Sequence, residues 1–118
     1  MLSLRKGVLI MAIDFYIANS DEDISDFGDY CSLEEEVKIH LKELCEFEDM
    51  PKGIVILAEL DPYGDTVLDE KHVRRVINDI NMLDPEDFSE ELFEVLMDIQ
   101  KFFMRALKSE KSILAYGD

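Results

Sequence analysis

Bases are scarce in this chain: twelve Lys and Arg stand against 28 Asp and Glu, a formal charge of −16. That balance excludes partners held by a phosphate backbone or an anionic membrane surface, because the electrostatic part of binding would be repulsive. Long apolar runs are absent too, and none reaches the ~18 residues that a membrane-spanning helix needs. Cysteine occurs only at Cys31 and Cys45, with no Cys-x-x-Cys pair, which argues against a disulfide-stapled secreted fold. The two thiols read as small buried hydrophobes, reduced, in a cytoplasmic protein. Glycine occurs five times and never as a phosphate-cradling loop. There is no nucleophile elbow and no Walker lysine, so the common nucleotide-binding and hydrolase signatures are missing.

Apolar residues are 47% of the 118, enough for a real core. A chain of this length makes one domain, residues 1–118, and buries roughly two-thirds of its unfolded-chain surface. An acidic, disordered tail is thereby excluded. The opening MLSLRKGVLIM lacks the small-residue cleavage site of a signal peptide. Arg5-Lys6-Gly7-Val8 is encodable by a purine-rich ribosome-binding stretch. The expected biological start is therefore Met11, with residues 1–10 as translated leader.

The order of elements follows from pattern and punctuation. Val8 to Ala18 is apolar and rich in strand formers, so it reads as a buried strand. Asn19 to Asp29 is polar and turn-forming. Ser32-Leu33-Glu34-Glu35 has the form of a capping box. It opens a helix over about 33–47, with Leu33, Val37, Leu41, Leu44 and Cys45 on one face. Asp49 to Gly53 ends that helix. Ile54 to Leu60 is short and apolar. Periodicity does not separate strand from helix there, and its β-branched residues favour a strand. In LDPYGDTV, Leu60 to Val67, proline and glycine give turn chemistry. Asp65, Thr66 and Asp69 are candidate acceptors for the free N–H groups of a helix over about 70–83. Asp84-Pro85-Glu86-Asp87 opens a last helix, about 85–109, with a core stripe from Leu92 to Ala106. Ser112 to Tyr116 reads as a closing strand beside the N-terminal one. The fold class is α+β and helix-dominated: about three helices on a small sheet that includes the N-terminal strand.

Chemistry-bearing residues are mostly acidic. Residues 14–36 hold nine acids and no base, and residues 76–100 hold eight acids and no base. Neither Asp21 nor Asp61 begins a calcium loop, since the sixth and twelfth residues are Asp26 and Ser32 in one case and Thr66 and His72 in the other. His40 and His72 lack ligand spacing and read as helix-surface residues. No metal, cofactor or catalytic residue is expected. The acids instead point to a surface for a basic protein partner, with Asp21, Glu22, Asp23, Asp26, Asp29, Asp61 and Asp65 as contacts and Tyr63 as an amphipathic anchor. As a structural element the same loop would have Asp61 and Asp65 satisfy backbone N–H groups and Tyr63 lie over a helix. Phe93, Met97 and Met104 widen the apolar arc of the last helix and form a candidate homodimer face.

The loop Asp61-Pro62-Tyr63-Gly64-Asp65-Thr66-Val67 and the opening MAIDFYIA of residues 11–18 carry a resemblance. Across about 11–118 the chain resembles a group of small acidic bacterial proteins of unknown function. Those relatives often carry a proline near the position of Arg74, which this chain lacks. The resemblance implies no activity, but size, acidity and setting are similar to those of immunity proteins, which bind and block a toxin. The expected function is a non-enzymatic module that neutralises a basic toxin by electrostatically steered docking. The alternatives are a homodimeric structural protein and an acidic DNA mimic.

Overall fold

The computed structural model describes residues 2–5, 8–24, 28–61 and 63–117. In chain order the elements are β1 (Leu2–Arg5), β2 (Val8–Ile17), β3 (Cys31–Glu34), α1 (Glu35–Phe47), α2 (Lys52–Ala58), β4 (Asp65–Leu68), α3 (Glu70–Asn81), α4 (Glu90–Lys108) and β5 (Ile113–Tyr116). Short 3-10 turns lie at Asp21–Asp23 and Pro85–Asp87. The class is α+β and helix-dominated, with four α-helices among the described residues rather than about three.

β2 organises the sheet. Its first half pairs with β1 in an antiparallel hairpin, Leu2 opposite Met11 and Arg5 opposite Val8. In its second half Asp14 is paired with Ser32 of β3 and also with Tyr116 of β5. A residue paired twice has a strand on each side, so β3 and β5 flank β2. β4 continues outward from β5, with Asp65 opposite Tyr116 and Leu68 opposite Ile113. All these pairings are antiparallel, and the closing strand sits beside the N-terminal one as its sequence predicts.

Alternation along β2 gives the sheet two different faces. Ile13 and Phe15 join Leu33, Leu68, Ile113 and Ala115 against the helices. Phe15 meets Phe103 of α4 edge-to-face, with ring centres 5.3 Å apart. Phe103, Leu96, Ile99 and Ala106 are fully enclosed, as are Val73 and Val76 of α3 and Leu41 of α1. The predicted stripe of the last helix is its buried face, whereas in α1 only Leu41 of the predicted stripe is fully buried, Leu33 lies in β3, and Val37, Leu44 and Cys45 are half-buried. On the other side of the sheet Tyr16, Ala18 and Leu114 form a second, smaller cluster against Ile24 and Tyr116. Tyr16 lies 6.0 Å from Tyr30 and 5.5 Å from Tyr116, ring centre to ring centre.

Two segments depart from the sequence reading in kind. Ile54 to Ala58 is helical, not a strand, and both ends of α2 are satisfied from neighbouring helices. Asp79 of α3 accepts from the Gly53 N–H at 2.7 Å, and the buried Lys38 of α1 donates to the Ala58 carbonyl at 2.9 Å. Ile54, Leu57 and Ala58 then point inward at helical spacing. Tertiary partners override the β-branched composition. The reverse occurs at 65–68, where Asp65 and Thr66 belong to strand β4 and do not cap a helix. Asp69 alone is the cap of α3, accepting from the His72 N–H at 3.0 Å.

The helix boundaries also shift. Ser32 is not a cap: it lies in β3 and its hydroxyl donates to the buried Asp14 carboxylate at 2.6 Å. α1 accordingly starts at Glu35 after an N-cap, Glu34, that makes no side-chain capping bond. The last helix begins at Glu90, capped by Ser89 on the Leu92 N–H at 3.2 Å. The earlier Asp84 signal caps only the turn at 85–87.

Candidate functional site

The two base-free acidic stretches meet in space. Ser32, Glu34 and Glu36 come from the first, and Ser89, Glu91, Leu92 and Val95 from the second. With Val37 and His40 they line one groove of about 440 Å³ between the first turns of α1 and α4. Local folding explains the meeting. β3 runs directly into α1 at Glu34, and the cap at Ser89 turns the chain into α4 beside it. Val37, Leu92 and Val95 supply an apolar floor, since all three pack into or against the core.

Charge in this groove is one-sided. Glu36 and Glu91 are exposed and, among the described residues, neither forms an ion pair. Each stands in the first turn of its helix, where the peptide dipoles favour a carboxylate. His40 follows Glu36 by one turn and faces the same groove. A cationic side chain entering here meets carboxylates on both walls and apolar side chains below. Among the described residues no group of three His, Cys, Asp or Glu side chains is arranged to hold a metal ion.

Two acids of the 19–29 segment, Asp23 and Asp29, are paired within the molecule. Asp29 takes a two-pronged bond from Arg105 of α4, at 3.1 and 2.8 Å. Asp23 accepts from Lys111 at 3.1 Å and from the Asn19 N–H at 3.0 Å. These bonds hold both carboxyls below the usual carboxylate range: the Arg105 guanidinium acts on Asp29, and the Asn19 N–H and then Lys111 act on Asp23. Both charges are thus matched within the molecule and tie the loop to the end of α4. Glu22 is exposed, Asp21 lies in the 3-10 turn, and Asp26 falls outside the described residues.

At the bend, Asp61 accepts from the Tyr63 N–H at 2.9 Å, and the Gly64 carbonyl accepts from the Gly117 N–H at 2.8 Å. The bend is thereby fastened to the end of β5. Asp65 is exposed on β4, and Tyr63 is 72% exposed. The three residues form an exposed outer tip.

The apolar arc of α4 is mostly used inside the molecule. Phe93 is half-buried against Phe88, with ring centres 6.4 Å apart, and Met97 packs on the core. Only Met104 stays open, at 52% exposure. The cysteines are free and half-buried, and burial pushes the Cys31 thiol up to about 11.

The α1–α4 groove was not legible as a site in the sequence. Its signal was the pair of base-free stretches, but nothing in the chain showed that they meet. No helix among the described residues is long and apolar enough to cross a membrane. Comparison of the chain with protein-family models, with curated proteins and with solved structures finds no match.

Proposed function

We infer that this protein is a non-enzymatic binding module that docks a basic protein partner in the groove between the first turns of α1 and α4. The observation that carries the reading is the convergence of Glu36 and Glu91, from two base-free stretches, over an apolar floor. A lysine or arginine of the partner places its alkyl stem on Val37 and Val95 and its charge between the carboxylates. The remaining negative charge accelerates encounter without contributing contacts. Such docking fits an immunity-type role, in which the protein covers the working surface of a basic toxin. The exposed tip at Asp61, Tyr63 and Asp65 provides a second contact for a partner large enough to reach it.

The test is amide chemical-shift mapping with an arginine-rich peptide as probe. The expected result is movement of residues 34–40 and 89–95. Glu36→Gln with Glu91→Gln lowers affinity at least tenfold, whereas Glu43→Gln with Glu46→Gln, on exposed positions further along α1, changes it less than twofold. Equal losses in the two pairs would mean diffuse charge attraction and would overturn the assignment.

A further inference from the structure

On so acidic a molecule, an unpaired cluster of cations is conspicuous. Lys38 is bonded to Ala58, Arg74 to Glu70, Arg105 to Asp29 and Lys111 to Asp23. Lys52, Lys71 and Arg75 form no ion pair among the described residues, yet all three line one groove between α2 and α3. That groove has a volume of about 430 Å³. One carboxylate, Glu59, reaches it; of the neighbouring acids Glu70 holds Arg74, and the exposed Asp69 holds His72 Nδ1 at 2.6 Å and also feels the Lys71 charge. Val55 and Ile56, both half-buried, lie between the cations.

The two helices run antiparallel, since the start of α2 at Gly53 is bonded to Asp79 near the end of α3. Antiparallel helices leave an open slot along their length, and such slots accept a third helix that lays its apolar face inward. A bare inorganic anion would leave Val55 and Ile56 wet, and a purely apolar segment would leave three cations unmatched. A second copy of this chain brings another −16 and is repelled. We propose that the α2–α3 groove docks an acidic amphipathic helix of a partner protein, its apolar residues on Val55 and Ile56 and its carboxylates on Lys52, Lys71 and Arg75.

This site takes a ligand of opposite sign to that of the α1–α4 groove, so the two readings fail independently. The probe is a labelled, end-blocked helical peptide with leucines at i, i+4 and i+7 flanked by glutamates. Its control carries glutamine at every glutamate. Fluorescence anisotropy at 0.15 M salt is expected to show binding at least tenfold tighter for the glutamate peptide, with amide shifts confined to 52–59 and 71–75. Combined Lys52→Gln, Lys71→Gln and Arg75→Gln substitution is expected to remove at least tenfold of that affinity, and Lys101→Gln less than twofold. The affected side chains are exposed, and circular dichroism checks that the variants fold. No binding at millimolar peptide, equal binding of both peptides, or shifts centred elsewhere would overturn the proposal. So would light scattering that shows a dimer abolished by the triple substitution, because the occupant would then be a second copy.

Discussion

Gly53 is where two helices come closest. A Cβ placed there would lie 2.7 Å from the Arg75 carbonyl oxygen and 2.9 Å from the Asp79 carboxylate that accepts the Gly53 N–H. Alanine gains about 1 kcal/mol of helix propensity over glycine. A clash with backbone is not relieved by a rotamer change, and overpacking costs about 1–3 kcal/mol. Gly53→Ala is therefore expected to destabilise, read as a lower urea midpoint. Asp79→Ala removes the other side of the contact and leaves a buried N–H without its acceptor, a loss of about 1–3 kcal/mol. The two residues touch, so the double variant is expected to lose less than the sum. A midpoint unchanged by Gly53→Ala would show that α2 and α3 separate at little cost. At this scale the sequence misleads where one side chain has two possible roles. Ser32 has the spacing of a cap, but its hydroxyl is claimed by Asp14, which lies opposite it where β3 pairs with β2.

Among elements, long periodic stretches were readable, and of the short ones β5 was readable while α2, β3 and β4 were not. α3 and α4 carry enough turns for their apolar stripes to fix both type and facing. α2 has seven residues and β3 and β4 four each, too few for a period to show. Their type is decided by partners distant in sequence, such as Lys38 and Asp79 for α2. The candidate site has the same history, because the acids were visible but not which of them would be matched. Asp23 and Asp29 read from the sequence as partner contacts, and in the structure they bond Lys111 and Arg105 at the end of α4. Their folded-state pKa values lie below the ordinary one, so their stabilising contribution is full above about pH 5 and is lost as pH falls through the carboxylate range. In urea unfolding, wild type is expected to exceed Asp23→Asn/Asp29→Asn in stability at pH 7, with the gap closing toward pH 3. A gap independent of pH would show that ionisation of the two carboxyls contributes nothing to holding the loop. High salt is expected to narrow the gap at pH 7, since both pairs are open to solvent.

For the whole molecule, one quantity, the charge of −16, governs two measurements with opposite signs. In the isolated protein like charges repel, and the compact state concentrates them more than the unfolded chain does. Salt shortens the screening length from about 10 Å at 0.1 M to about 3 Å at 1 M. Raising NaCl across that range is therefore expected to stabilise the free protein, seen as a higher melting temperature. Docking of a basic partner responds the other way. Steering works through charges that never touch the partner, so screening acts on the encounter. In the proposed docking, contacts with Glu36 and Glu91 over Val37 and Val95 would be short, and so less sensitive to screening than steering from a distance. The association rate is expected to fall at least tenfold over the same salt range while the dissociation rate changes less than threefold. Neutralising many of the exposed acids remote from the groove at once is expected to flatten the salt dependence of the association rate and leave dissociation unchanged. Stopped-flow fluorescence with a basic partner separates the two rates. An association rate indifferent to salt, beside a free protein that salt does stabilise, would show that the charge repels within the molecule without guiding anything to it.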